Sequence, residues 1–295
     1  MSAQGMEVDE PPIRIGWPST SAFLLGYLIN TGLFGVLCGQ IYTYYMAFPK
    51  DKLSIKLMVY GIFLLDVIQT VLATHDVFAI FAIGYGMISS LHDIHLIWLT
   101  VPILGGLAGC AGQLFFAYRI MLISESILIA GITAALSICT LSAAIYTGIQ
   151  VYLAKELSVV FQDTRVYIAC GVWNGSGALC DVLIVCVMTY YLSRKSTAFR
   201  STNRVIAKLI LMTIETGLVT ATAAILCVIF LIGLRHTNLA PYFAVPGITI
   251  SKLYSITFLA ILNNRVRVYG GREPVPEVYD SVSCQWERHS GEDSV

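Results

Sequence analysis

The chain of 295 residues is 57% hydrophobic and only 12% charged, about half the charged share of an ordinary soluble domain. This composition excludes a typical soluble globular protein and indicates a membrane protein. The 18 basic and 18 acidic residues cancel, so the net charge does not favour nucleic acid or another highly charged partner. We therefore expect the lipid bilayer, and no nucleic acid, as the main surroundings of the chain.

The first residues do not have the pattern of a signal peptide. Residues 1–18 are acidic and contain prolines, whereas a signal peptide begins with basic residues and continues with a short apolar run. We expect residues 1–18 to form a short extracellular tail.

Seven apolar stretches follow, each long enough to cross about 30 Å of hydrocarbon as a helix of roughly 20 residues. They cover residues 21–46, 54–74, 96–121, 125–148, 167–192, 205–233 and 241–262. A further apolar segment, 76–90, is short and interrupted by glycine, so we expect it to extend a helix or to form an interfacial lid. The sequence thus predicts an all-α membrane protein, with a seven-transmembrane helix bundle over residues 19–265.

Lysine and arginine residues are distributed unequally between the two sets of loops. Cytoplasmic loops retain an excess of these residues, and the loops after the first, third, fifth and seventh stretches carry most of them. The other set holds only Arg14, Lys155, Arg165 and Arg235. This asymmetry predicts an N-terminus outside and a C-terminus in the cytoplasm.

The predicted cytoplasmic face has a basic loop and an acidic tail. Residues 193–204 interleave serine and threonine with Arg194, Lys195, Arg200 and Arg204. Near an anionic leaflet each basic residue contributes about 1 kcal/mol of attraction, and phosphorylation would reverse it locally; plain membrane topology is the alternative explanation. Residues 266–295 are acidic and contain prolines, which predicts a disordered cytoplasmic tail and a candidate segment for a cytoplasmic protein partner.

Four ionisable residues lie well inside the predicted spans: Asp66, Asp181, Glu215 and Lys252. A charge in hydrocarbon costs at least a few kcal/mol, so such residues normally face the bundle interior and find partners there. We expect them to form an interior polar network together with Gln69 and Gln113. Asp66 and Lys252 lie at similar depth on the second and seventh spans, which predicts a pair. The remaining negative charges imply either protonated carboxylates or a bound cation.

A second polar set lies on the predicted outer face: His75, Asp76, His92, Asp93 and His95. Imidazole and carboxylate groups bind divalent metals, and histidine titrates near neutral pH. The set is thus a candidate metal or pH site, with solvated loop residues as the alternative, and the identity of any metal stays open. No nucleophile or base motif accompanies it. We predict no catalytic residue, no cofactor and no enzymatic activity.

Three motifs in combination distinguish this chain: YYMAFPKD at 44–51, QLFFAYRI at 113–120 and KLYS at 252–255. They resemble those of seven-helix proteins abundant in basidiomycete fungi, which share an uncharacterised membrane domain, and the similarity covers about residues 20–265. The resemblance implies that Asp66, Asp181 and Lys252 are recurring positions of one interior network. This chain has Gln69 where that family usually has histidine and Glu215 where it usually has asparagine. The family has no established activity, so the resemblance implies architecture and leaves function open.

These features favour an integral multi-pass protein of receptor- or sensor-like function that binds a small-molecule or lipid ligand from the outer half. The alternatives are a transporter or proton-coupled carrier that uses the buried charges, and a His/Asp metal-dependent membrane hydrolase. A carrier predicts a hydrated path through the bundle, a receptor predicts a pocket closed toward the cytoplasm, and a hydrolase predicts histidines that converge on a metal. We expect the plasma membrane, with an endomembrane as the alternative.

Overall fold

The computed structural model describes residues 17–84, 93–160, 163–194, 200–233, 237 and 240–264. Within these residues the chain is helical, apart from short connections and an isolated β-bridge between Asp93 and Glu156. The predicted tails lie outside the described residues, except that Trp17 and Pro18 already belong to the first helix. Proline is tolerated there because the first turn of a helix does not use its backbone N–H groups.

Seven long helices follow one another in the part of the chain that the structure describes. They are α1 (Trp17–Ala47), α2 (Leu53–Phe78), α3 (Gly105–Ser124), α4 (Ile127–Ala154), α5 (Thr164–Arg194), α6 (Arg200–Val228) and α7 (Ala244–Asn263). Single π-helical turns extend α2 (Ala79–Ile83) and α6 (Ile229–Gly233) and precede α3 (Leu99–Leu104). A one-turn helix, Leu157–Val160, precedes α5, and a 3-10 turn, Ala240–Phe243, precedes α7.

All seven helices are long and apolar enough to cross a membrane, which confirms the predicted seven-helix bundle. The main difference from the predicted spans is at the second one, which runs from Leu53 to Ile83 because the apolar segment after Asp76 continues the helix. The remainder of that segment, 85–90, lies outside the described residues. We call the end of the bundle at which α1, α3, α5 and α7 begin the N-terminal end, and the other the C-terminal end.

Helix α7 runs through the middle of the bundle. It packs against α1, α2, α3 and α6, and 61% of its most apolar stretch is buried, compared with 28% in the second and fourth spans. Its contact with α1 is close at Gly26, where an added Cβ would lie 3.0 Å from Ile248 Cδ1. Because α7 is enclosed, its polar side chains reach partners on both sides of the bundle.

Candidate functional site

Lys252 and Asp66 form an ion pair in the bundle interior, which confirms the predicted pair. Lys252 Nζ lies 2.8 Å from Asp66 Oδ1, and both side chains are 0% exposed. The same ammonium donates to the backbone oxygen of Asp66 at 3.2 Å and to Gln69 Oε1 at 2.6 Å. An ammonium has three N–H donors, so these three acceptors engage all of them. We interpret this ion pair as a structural centre.

Gln69 connects the ion pair to the start of the third span. Its Oε1 accepts the hydrogen bond from Lys252, while its Nε2 donates to the backbone oxygen of Thr100 at 2.8 Å. A glutamine amide can serve both partners because it carries an acceptor and two donors. The predicted role of Gln69 in the interior network is therefore confirmed.

A second polar centre surrounds Asp181, near the middle of α5. Asp181 Oδ1 accepts a hydrogen bond from Gln113 Nε2 of α3 at 3.1 Å. Its Oδ2 accepts hydrogen bonds from Thr220 Oγ1 of α6 at 2.6 Å and from Tyr254 Oη of α7 at 2.8 Å. The Asp181 carboxylate thus joins four helices at mid-depth, and all three of these donors are uncharged.

The two centres meet at α7, where Lys252 and Tyr254 are two residues apart. Two residues correspond to roughly 200° around an α-helix, so the ammonium points toward α2 and the phenol points toward α5. Gly109 of α3 makes room for the phenol ring, since an added Cβ there would lie 3.3 Å from Tyr254 Cδ2. Tyr254 and Thr220 are not among the residues predicted from sequence. The polar spacing within the KLYS motif is the signal that points to Tyr254.

Glu215 does not join the interior network, so that prediction is wrong. Its side chain is exposed, whereas Thr213 and Thr220 on the same helix are buried. Glu215 follows Thr213 by two residues, which turns it roughly 200° away from the buried face. Depth within a span is visible in the sequence, but the face on which a residue lies depends on helix packing.

Two small cavities border Gln113, and one of them also borders Asp181. One is lined by Asp181, Gln113, Thr213, Thr220 and Tyr254 among others, and the second by Gln113, Tyr254 and residues of α4 and α5. Each has a volume of about 20 Å³, which is room for about one water molecule. Neither cavity can hold an organic ligand.

The predicted outer histidine set is only partly assembled. His75 Nδ1 lies 3.4 Å from Asp76 Oδ1, and His92 lies outside the described residues. In the ranges that the structure describes, no three His, Cys, Asp or Glu side chains come together as metal ligands. The geometry that the hydrolase alternative predicts is thus not present in those ranges.

Asp76 and Asp93 have other roles at the N-terminal end of the bundle. Both carboxylate oxygens of Asp76 accept from the backbone N–H of Leu96 at 3.2 Å, which ties the end of α2 to the start of the third span. Asp93 pairs with Glu156 in the isolated bridge. His95 is also described, and its Nε2 is buried. Both acidic residues of the predicted site thus take part in contacts between segments, Asp76 through its carboxylate and Asp93 through its backbone.

The two ends of the predicted basic loop, residues 193–194 and 200–204, belong to helices α5 and α6. Arg194 is exposed, and its guanidinium carbon lies 4.9 Å from the centre of the Tyr190 ring. Lys195 lies outside the described residues, and Arg200 and Arg204 belong to α6. The proposed attraction of this loop to an anionic leaflet stays a prediction.

A groove lies between α1, α6 and α7 at the N-terminal end, with a volume of about 560 Å³. We call it the α1/α6/α7 groove; it is lined by Leu25, Leu218, Val219, Thr222, Ala223, Leu226, Phe230, Tyr242, Val245, Pro246 and Thr249. Both threonine hydroxyls donate to their own helix, to the backbone oxygens of Leu218 and Val245. The groove wall is consequently apolar over most of its length.

Tyr242, which lines the groove where α7 begins, makes a polar contact with α1. Tyr242 Oη lies 3.1 Å from Ser21 Oγ at the start of α1. No charged residue lines the groove among the residues that the structure describes. The groove thus offers hydroxyl groups at one end and hydrocarbon elsewhere.

A family of unknown function (DUF6534) matches residues 177–267. The matched part includes most of α5 and all of α6 and α7, and with them Asp181, Thr220, Lys252 and Tyr254. It thus contains residues of both polar centres and most of the groove lining. No curated protein and no solved structure matches the chain.

Proposed function

We propose that this protein is a non-enzymatic, receptor- or sensor-like membrane protein of the fungal seven-helix family, and that its ligand is a sterol-class lipid bound in the α1/α6/α7 groove. The volume of this groove carries the proposal. At about 560 Å³ it falls within the roughly 300–1,000 Å³ of typical ligand pockets. The two interior cavities lined by Gln113, at about 20 Å³ each, do not.

The lining chemistry supports a lipid with a single hydroxyl group. A phospholipid headgroup carries charge and favours a basic residue nearby, whereas the described lining has none. Tyr242 and its partner Ser21 supply hydroxyl groups at the membrane-surface end, and aliphatic side chains such as Leu218 and Val245 supply the rest. A flat apolar body with one terminal hydroxyl is complementary to both parts.

The length of the groove supports a lipid of one leaflet. Its lining on α6 runs from Leu218 to Phe230, which is about 18 Å at 1.5 Å per residue. The hydrocarbon core is about 30 Å thick, so the groove spans somewhat more than one leaflet. A sterol entering sideways from that leaflet would lie along α6 and α7.

The distribution of charge supports an extracellular N-terminal end and a cytoplasmic C-terminal end. Lys50, Lys52 and Arg194 lie at the C-terminal end of the bundle, and Lys155 and Arg165 lie at the N-terminal end. Together with the basic residues of the loop and tail, this follows the positive-inside rule. In that orientation the groove opens in the outer leaflet, with the plasma membrane as the proposed location and a cytoplasmic protein as the proposed partner.

Photo-crosslinking tests whether a sterol binds in the α1/α6/α7 groove. The full chain in lipid nanodiscs is irradiated with a diazirine sterol, and labelled peptides are mapped by mass spectrometry. We expect saturable labelling of α6 and α7 at the groove. Val219→Trp fills the groove and should lower labelling about tenfold, which needs the loss of only about 1.4 kcal/mol of binding free energy. Val172→Trp on α5 is the matched control, since Val172 is exposed outside the groove.

The sensor role has a separate test. Sterol added to sterol-free nanodiscs should change hydrogen exchange at the C-terminal end of the bundle, where α5 ends and α6 begins. Saturable labelling without any change there would refute the sensor role and leave a purely structural lipid site. Labelling that is equal in both tryptophan variants, or that does not saturate, would refute the sterol site itself.

A further inference from the structure

We propose that the centre around Asp181 binds a small monovalent cation, of which sodium is the representative. This inference does not depend on the sterol groove. It begins with the charge of the site: Asp181 is 5% exposed and near the middle of a transmembrane helix. A buried carboxylate without a counter-charge is strongly unfavourable.

The described part of the chain supplies no cation to Asp181. Its hydrogen-bond donors, Gln113, Thr220 and Tyr254, are neutral, and none of the ion pairs among described residues includes it. Asp66 differs, because Lys252 lies against it. Among the described residues, Asp66 therefore has a counter-charge within hydrogen-bond distance, whereas Asp181 has only dipolar partners.

An unpartnered oxygen beside the carboxylate also points to a ligand. Gln113 is 2% exposed, and its Oε1 has no hydrogen-bond partner among the described residues, although its Nε2 donates to Asp181. A buried acceptor left unsatisfied is unfavourable, and such groups are rare in native structures. Gln113 lines both small interior cavities, and Asp181 lines one of them. A cation in that space would be bound by the free oxygen as well as by the carboxylate.

The oxygen-only surroundings favour a hard ion. Besides Asp181 and Gln113, the cavity is lined by the hydroxyl groups of Thr213, Thr220 and Tyr254, and hard cations take oxygen ligands of these kinds. No histidine or cysteine is among the described residues that line this cavity, and transition metals favour imidazole or thiolate ligands. A volume of about 20 Å³ admits one ion or one water molecule.

Charge balance selects a monovalent ion over a divalent one. One carboxylate neutralises one positive charge, and a divalent ion would leave an excess charge in hydrocarbon. A proton on Asp181 would also neutralise the site. In the observed orientation of the Gln113 amide, however, it would leave Oε1 without a partner, because the amide faces Asp181 with its Nε2.

Thermal unfolding of the full chain in nanodiscs tests the site. Unfolding temperatures are compared in sodium chloride and in choline chloride at equal ionic strength. A ligand that binds only the folded state at about 100 times its Kd should raise the unfolding temperature by roughly 5–10 °C. The shift should saturate with sodium concentration.

Variants test whether the shift in unfolding temperature depends on the side chains proposed to bind the cation. Asp181→Asn and Gln113→Met should abolish it, and the second variant keeps the test informative if the first does not fold. Asp66→Asn and Gln69→Met are matched controls at the other polar centre; they should lower stability and retain the sodium shift. Equal unfolding temperatures in both salts, a shift that survives Gln113→Met, or dependence on pH alone would overturn the proposal.

Discussion

Replacement of Lys252 by methionine tests the ion pair most directly. Methionine fills much of the same space, but it removes the ammonium that donates to Asp66 Oδ1, to the Asp66 backbone oxygen and to Gln69 Oε1. The Ser251 hydroxyl, at 3.4 Å, then still donates to Asp66 Oδ1. Removal of one partner from a buried pair destabilises a protein by about 3–5 kcal/mol. At about 2–4 °C per kcal/mol, we expect the unfolding temperature to fall by about 6–20 °C. Adding Asp66→Asn removes the uncompensated charge and should restore about 1–3 kcal/mol.

The assay is thermal unfolding of the purified chain in detergent at one fixed scan rate, because irreversible unfolding makes the midpoint depend on the rate. Lys155→Met is the control, since Lys155 is exposed in the connection after α4. A surface substitution of that kind should change stability by at most about 0.5 kcal/mol. If the double variant loses as much stability as the two single variants together, Asp66 and Lys252 do not stabilise each other, and our interpretation is wrong.

Two further substitutions test helix packing and helix orientation. Gly106→Ala should destabilise the bundle by about 1–3 kcal/mol, because an added Cβ would lie 2.6 Å from a methyl carbon of α4. Gly131→Ala is the control. Its added Cβ meets nothing within 4 Å, so the unfolding temperature should stay unchanged or rise. Glu215→Gln should not lower the unfolding temperature, because this side chain is exposed, and a fall comparable to that of Lys252→Met would place Glu215 in the interior after all.

Features that depend only on short segments of the sequence were predicted well. The seven spans follow from hydrophobic length alone, since a helix of about 20 apolar residues satisfies its own backbone in hydrocarbon. The pairing of Asp66 with Lys252 follows from equal depth and opposite charge. Glu215 has a comparable signal, yet it lies on the outside of α6, because the sequence does not show which face of a strongly apolar helix is buried.

The role of Tyr254 depended on the neighbours of α7. A tyrosine in an apolar span is more often an interfacial residue or part of the core. Tyr254 donates a hydrogen bond to Asp181 only because α3, α5 and α6 pack around it. Its close fit beside Gly109 likewise joins residues that are far apart in the chain. The α1/α6/α7 groove has no sequence signal, because it is the space that three helices leave between them.

The sequence by itself determined that this protein lies in a lipid bilayer, that it has seven membrane-spanning helices, and that its buried charges are energetically unfavourable unless paired. Hydrophobicity and charge are properties of single residues and short segments. Only the tertiary structure decided that Asp181 has neutral hydrogen-bond donors, that Glu215 lies on the outside of α6, and where a lipid-sized groove remained. Those outcomes depend on the rotation and separation of packed helices, which arise from contacts between distant parts of the chain.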